Sequence, residues 1–286
     1  MTLVQPKKLS ELFSATFHKK YSFDDFLNLK VEDEIKIIYP KNKEIVQASK
    51  KLKDYQKFIN HIFLAYSKIN KSVVYSYRSG VSYIDAVKKH ANSKHFFQTD
   101  ITNFFPSINS SDVRKVFENN IDNLLVTDYE QYIEQLVDLT TFNNALPIGF
   151  STSPNITNTL LFDFDSDLES YCLEKNLIYT RYSDDIIISS QHDQFLAEIE
   201  NTIVSLLKKY FDNRININPG KTKKHKKGQK VKLLGIVISE SGNVTIDKKS
   251  KKQVEALIHF YLNDKTKFDD YLGKTFDGSI RRLSGF

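Results

Sequence analysis

The chain has 286 residues and a mass of 33.2 kDa, about two average domains of roughly 150 residues each, and is long enough to bury a substantial core. With 40% hydrophobic and 27% charged residues, nine glycines and six prolines, it is not collagen-like, mucin-like or largely disordered; a single cysteine, Cys172, excludes a disulfide framework or cysteine-rich metal site and fits a reducing cytoplasm. The formal charge of +6 is unevenly spread: residues 219–252 hold eleven lysines (221, 223, 224, 226, 227, 230, 232, 248, 249, 251 and 252) against Glu240 and Asp247, a net +9 that leaves −3 elsewhere.

No run of about 18 apolar residues occurs, and MTLVQPKKLS lacks the apolar centre of a signal peptide. The expectation is a cytoplasmic protein without a membrane partner. Residues 1–30 read as amphipathic helix broken at Tyr21-Ser22, with Ser22 an N-cap before Phe23, Phe26 and Leu27. EIKIIYP and KNKEIVQ alternate around a Pro-Lys-Asn turn and predict a hairpin. A helix follows, its apolar residues Leu52, Tyr55, Phe58, Ile59, Ile62 and Phe63 recurring at spacings of three and four. HFFQTDITNFFPSI predicts a strand stopped by Pro106, and residues from about 110 to 139 a helix. His90 and His95, lacking cysteine or paired-histidine spacing, read as structural or phosphate-proximal, not as zinc ligands.

LPIGFSTSPNITN begins as a loop and becomes helical after Pro154, which suits a first helical turn. LIYTRYSDDIIISS is apolar on both sides of Ser-Asp-Asp and predicts a hairpin that displays two carboxylates. A helix at about 193–211, a basic loop, the strand VKLLGIVIS and a basic helical region complete the chain. Strand, helix, strand, strand, helix, strand is the order of a ferredoxin-like sheet.

Two features bear on chemistry. The lysine-dense segment is the footprint of a chain that lies along a polyanion such as a nucleic-acid backbone, although a solvated loop has the same composition. Asp100, Asp184 and Asp185 stand where acids are awkward, at the end of an apolar strand and at a turn between apolar runs. Asp-Asp is ordinary turn chemistry; gathered together, the three would repel one another unless a hard divalent cation joined them. Two Mg²⁺ ions about 3.5–4 Å apart would activate an attacking 3′-hydroxyl and stabilise a pyrophosphate leaving group.

The series TDITNFFPSI, LPIGFSTSPNITN, RYSDDIIIS, NPGKTKKH and VKLLGIVIS resembles the ordered palm motifs of reverse transcriptases. It is nearest to the bacterial group of retron, group II intron and phage-defence enzymes. The resemblance implies an α+β right-hand polymerase fold, with fingers over 1–94, a ferredoxin-like palm over 95–240 carrying an inserted fingers portion at about 110–140, and a short or truncated helical thumb over 241–286. It implies two Mg²⁺ ions (Mn²⁺ as substitute) held by Asp100, the Ile101 carbonyl, Asp184 and Asp185. Phe105 would be a steric gate favouring dNTPs, and Gly149 and Phe150 would shape the nucleotide pocket, where Ile148 replaces the glutamine of many relatives. Lys221 would be a general acid or charge neutraliser at the pyrophosphate. Lys43, where relatives often carry arginine, and Arg78 would contact the triphosphate, and Tyr77 and Gly80 fit a fingers motif. Leu234-Gly235 would grip the primer, and Lys223 and Lys224 would meet primer or template.

KLLGIV and IDAVKKH blur the Val-Thr-Gly and Asn-Ala-x-x-His signatures of retron enzymes, which shifts the reading from a retron enzyme toward the phage-defence group, whose members copy structured non-coding RNAs. SIRRLSGF resembles the middle of a thumb helix. Implied partners are an RNA template, a DNA product and dNTPs, with an effector protein or self-association left open. A template-independent or protein-primed polymerase would use the same carboxylates. A nucleotidyl cyclase has no use for LPIGFSTSP, and a non-catalytic nucleic-acid-binding module has none for three acids.

Overall fold

Aromatic side chains organise the N-terminal part of the chain in a computed structural model that describes residues 6–40, 43–119, 121, 126–226, 228 and 231–276. Helices α1 (Leu9–Phe17) and α2 (Phe23–Asn28) part where expected, and the Asp25 amide donates to the Ser22 hydroxyl as an N-cap. Phe13 meets Phe26 at 5.2 Å and Phe58 at 5.5 Å between ring centroids. Strands β1 (Ile35–Ile38) and β2 (Ile45–Ala48) form the expected antiparallel hairpin; Lys41 and Asn42 of its turn lie outside the described residues. Helix α3 (Lys50–Ile62) follows, capped by Ser49 and burying Leu52, Tyr55, Phe58 and Ile59.

Helix α4 (Tyr83–Lys89) opens with a reciprocal capping box between Ser82 and Asp85 and leads into β3 (His95–Asp100). That strand ends at Asp100, well before Pro106, because residues 102–107 fold into turns with Asn103 at φ 46°. The expected helix at 110–139 is not continuous. It is α5 (Ser110–Asn119), a 3₁₀ turn at Tyr129–Tyr132 and α6 (Ile133–Asp138), with Asn120 and residues 122–125 outside the described set. Helix α7 (Ser153–Leu160) has Pro154 in its first turn, and α8 (Phe162–Glu174) continues past Leu161. Then come β4 (Ile178–Tyr182), β5 (Asp185–Ser190), α9 (Ile199–Phe211) and β6 (Lys223–Lys226).

The four strands pair antiparallel in the order β4-β5-β3-β6, which is the ferredoxin-like sheet expected, with one correction. Its fourth strand is the basic segment, expected to be a loop; VKLLGIVIS is not that strand. Lysines on an edge strand need no apolar alternation and discourage edge-to-edge pairing, so the segment does not look like a strand in sequence. VKLLGIVIS instead folds back on itself as β7 (Val231–Leu233) and β8 (Ile236–Ile238), and with β9 (Val244–Ile246) makes a separate three-stranded sheet.

Successive residues of β3 face opposite ways, so Phe97 joins the main core with Ile186 and Ile188, while Phe96 joins Val87, Ile187, Val231, Leu233, Ile236 and Ile238 beneath the small sheet. Helices α10 (Lys248–Asn263) and α11 (Lys265–Phe276) pair through Leu257 and Leu272; SIRRLSGF, Lys227 and Lys230 lie outside the described residues. Among the described residues no helix is long and apolar enough to cross a membrane.

Candidate active site

The register of the central sheet brings the three acids together. Asp100, the last residue of β3, is the cross-strand partner of Asp185, the first of β5, and the Ile101 amide donates to the Asp184 carbonyl at 3.0 Å. The turn between β4 and β5 is Ser183-Asp184, with Ser183 at φ 57°. Lys221 Nζ stands 2.8 Å from Asp100 Oδ2. Asp100 Oδ1 is buried without a hydrogen-bond partner among the described residues. Burial, then the negative charge of Asp184, pushes the Asp185 carboxyl up to about 6, and the hydrogen bond to Asp100 holds the Lys221 ammonium above its usual range.

An orphaned carboxylate oxygen beside two further acids is a donor set for a hard divalent cation. Ligands would come from Asp100, Asp184, Asp185 and the Ile101 carbonyl. Among the described residues no three His, Cys, Asp or Glu side chains already converge as a finished cluster, and one oxygen of Asp100 is engaged by Lys221.

A cleft of about 640 Å³ opens over this edge, lined by Asp100, Ile101, Asp184, Lys221, Phe105 and Lys43 among others. Phe105 is the partly exposed member of its pair, whereas Phe104 is buried. Other expected contributors stand elsewhere. Gly149 (φ 114°) does not line the cleft; a Cβ there would meet the Val46 carbonyl oxygen at 2.5 Å, and the Val46 amide donates to the Ile148 carbonyl at 2.8 Å. Its backbone freedom allows this close contact with β2, while its neighbours Pro147 and Ile148 line the cleft. Phe150 is a core residue, 2% exposed. The Arg78 guanidinium is spent on the backbone carbonyls of Lys71 and Val74, outside the cleft lining. Lys223 and Lys224 are exposed on β6, Lys224 lying 3.9 Å from Glu200. Leu234 and Gly235 form the β7–β8 turn.

His90 is structural: fully buried between the hydroxyls of Ser189 (2.6 Å) and Thr180 (2.7 Å), it has its pKa pushed down to about 3 by burial. Sequence reasoning missed Arg181 and Asp165, a fully buried ion pair directly behind the acidic turn. The available signal was an arginine within the otherwise uncharged strand IYTRY.

Residues 40–238, well over half of the chain, match the family model described as reverse transcriptase (RNA-dependent DNA polymerase). The retron Ec83 reverse transcriptase of Escherichia coli is 24% identical over 219 residues, covering 75% of this chain and 70% of that protein. The retron Se72 reverse transcriptase of Salmonella heidelberg is 29% identical over 224 residues, 77% and 57% of the two chains. The retron Ec73 reverse transcriptase of Escherichia coli is 30% identical over 206 residues, 69% and 62%. The chain thus spans between 57% and 70% of the length of these relatives. The blurred retron signatures KLLGIV and IDAVKKH do not keep retron enzymes from matching.

In structure, the chain is similar to telomerase from Candida albicans in complex with a fragment of telomeric RNA (TM-score 0.51, 12% identity, covering 84% of this chain and 51% of that one). It is also similar to apo telomerase from Candida tropicalis truncated from its C-terminal domain (TM-score 0.54, 14% identity, 83% and 60%). At such identities the likeness is one of fold.

Proposed function

The chain belongs to the reverse transcriptase (RNA-dependent DNA polymerase) family, and from that premise we propose that it adds deoxynucleotides to a primer 3′ end on an RNA template, with Asp100, Asp184 and Asp185 as its reaction centre. The observation that carries the reading is the buried Asp100 Oδ1, unpartnered among the described residues, on a residue that lines one cleft together with Asp184, Lys221 and Lys43. In this reading residues 1–94 are fingers, 95–240 a palm with an inserted fingers portion at about 110–140, and 241–286 a reduced thumb.

Bound at the three carboxylates and the Ile101 carbonyl, two Mg²⁺ ions, or Mn²⁺ in their place, would supply activation of the 3′-hydroxyl and stabilisation of the leaving oxygen. The chain's own residues do the rest. Phe105 walls the cleft beside Asp100 and presses where a ribose 2′-hydroxyl would sit. Lys43 offers the triphosphate a point charge without the bidentate geometry of arginine. Lys221 keeps an ammonium at the carboxylate edge, able to neutralise or protonate departing pyrophosphate. The exposed lysines of β6 are suited to a nucleic-acid backbone. Resemblance to the phage-defence group supports a structured non-coding RNA as template and a role in anti-phage defence.

The test is primer extension by purified protein with Mg²⁺ and dNTPs on RNA, on DNA and without template, beside an Asp184→Asn/Asp185→Asn variant. RNA-copied product that falls to background in the variant, with its thermal midpoint unchanged or raised by relief of carboxylate repulsion, is expected. Product without template would mean a terminal polymerase. Synthesis that survives in the variant would remove these acids from the reaction centre.

A further inference from the structure

The cation buried behind the acidic turn has no part in the chemistry above, and its contacts are more than burial requires. Arg181 on β4 is 0% exposed, and a guanidinium cannot shed its charge by losing a proton, so it must be paired. Asp165 on α8, also 0% exposed, does this: Nη2 donates to Oδ2 at 2.6 Å and Nε to Oδ1 at 2.8 Å. Tyr179 OH donates to the same Oδ1 at 2.6 Å.

The remaining arm, Nη1, donates to the Ser183 carbonyl at 2.9 Å and to Asn158 Oδ1 at 3.2 Å. Ser183 is the residue before Asp184 and holds a left-handed φ of 57°, a conformation serine keeps only when its surroundings enforce it. Two groups enforce it here, Nη1 on the carbonyl and the Tyr77 hydroxyl 2.8 Å from Ser183 Oγ. Asn158 in turn donates to the Ser76 carbonyl at 2.9 Å, and the backbone of Arg181 exchanges hydrogen bonds with Val73 (2.8 Å) and Tyr75 (2.9 Å). The guanidinium therefore has one place to sit, and its free edge faces the turn.

Replacing a buried ion pair with apolar residues of similar volume is often neutral for stability, so folding alone does not call for this pair. We propose that Arg181 is a positioning residue: Asp165 and Asn158 fix its guanidinium so that Nη1 holds the Ser183 carbonyl, and with it the Asp184 and Asp185 carboxylates, in the orientation that takes a divalent cation. The use of that cation in synthesis rests on the polymerase reading; its binding does not.

Mn²⁺ affinity measured by proton relaxation enhancement, without substrates, separates the two. Arg181→Met with Asp165→Asn removes both charges at nearly constant volume; near-UV circular dichroism should remain native while Mn²⁺ affinity falls about tenfold, the low end of what partners of metal ligands contribute. Primer extension should lose kcat by about a hundredfold with dNTP KM changed less than about twofold, as for an interaction that orients reacting groups. Arg181→Lys keeps a cation for Asp165 but has one ammonium where two arms are needed, and should lose Mn²⁺ affinity similarly. Full Mn²⁺ affinity in the folded double variant overturns the proposal; if that variant does not fold, full affinity in Arg181→Lys does so. A parent protein that binds no Mn²⁺ overturns it too. A parent that binds Mn²⁺ but extends no primer refutes the polymerase reading alone, and the affinities still decide the role of Arg181.

Discussion

Two hairpins with two-residue turns differ in how their turns are held. The β7–β8 turn places Leu234 (φ 49°) and Gly235 (φ 84°) both in left-handed space, the pairing that suits the twist of a hairpin, and a Cβ on Gly235 would meet no atom within 4 Å. The β4–β5 turn puts Ser183 at φ 57° where glycine is the easy residue, and Asp184 follows it without a positive φ. Arg181 and Tyr77 clamp it from the carbonyl and the hydroxyl. Both turns place a non-glycine residue in left-handed space, but Leu234 is held by packing its side chain against the core beneath the small sheet, whereas Ser183 is held through its polar groups. Under the proposed function, the first turn would offer backbone to a primer and the second charge to the reaction.

The β1–β2 hairpin extends the contrast, because it is held from outside through Gly149. Alanine at 149 combines an unfavourable φ of 114° with a Cβ placed 2.5 Å from the Val46 carbonyl oxygen, backbone that cannot rotate away. Gly149→Ala should lower unfolding free energy by about 3 kcal/mol, the upper end for one enforced backbone strain. It should also raise dNTP KM, since Lys43, two residues before β2, and Val46 on β2 both line the cleft. Urea unfolding and steady-state kinetics read both effects, and a loss below about 1 kcal/mol would mean that β2 simply moves aside.

The strands of the β4–β5 hairpin are also tied by His90, which bridges Thr180 of β4 and Ser189 of β5. Folded, its pKa is about 3, against an ordinary value of 6.5. Between those values the unfolded chain binds a proton that the folded one does not, so stability rises with pH there and falls as pH drops below 6.5. From pH 7 to pH 5 this site should remove about 2 kcal/mol, at about 1.4 kcal/mol per unit below 6.5. His90→Gln keeps a neutral hydrogen-bonding side chain and should flatten that part of the slope. Parallel urea titrations that lose stability equally in both proteins would show that His90 protonates in place.

What could be read in the sequence followed the same physical division. The β4–β5 hairpin was legible because both its strands are apolar around Ser-Asp-Asp, and the α3 stripe because helical spacing repeats in full. β6 was hidden because an exposed edge of lysines has no alternation. VKLLGIVIS looked like one strand because Leu234 carries no mark of the left-handed position it occupies. Asp165 lies 16 residues before Arg181 in FDFDSDLE, where nothing in composition shows which acid turns inward. Of the candidate site, motif order points to the three aspartates, Phe105, Lys43 and Lys221, of which Asp100, Asp184, Phe105, Lys43 and Lys221 line the cleft. The clamps on Ser183 were not legible, since Tyr77 lies 106 residues away and Arg181 of β4 is fixed by α7, α8 and residues 73–75 at once.

The smallest effect isolates the β7–β8 turn. Gly235→Ala meets no neighbouring atom, so only its φ of 84° opposes it, about 1 kcal/mol for one left-handed residue. Urea unfolding should show that loss and no more; a loss above about 3 kcal/mol would mean that the turn depends on packing at Gly235 as well. If the Leu234-Gly235 backbone holds the primer end, the added methyl stands between them, and primer–template affinity by fluorescence anisotropy should fall about fivefold, equivalent to about 1 kcal/mol. Unchanged affinity at that stability loss would take the primer away from this turn and leave the exposed lysines of β6 as its nearest support.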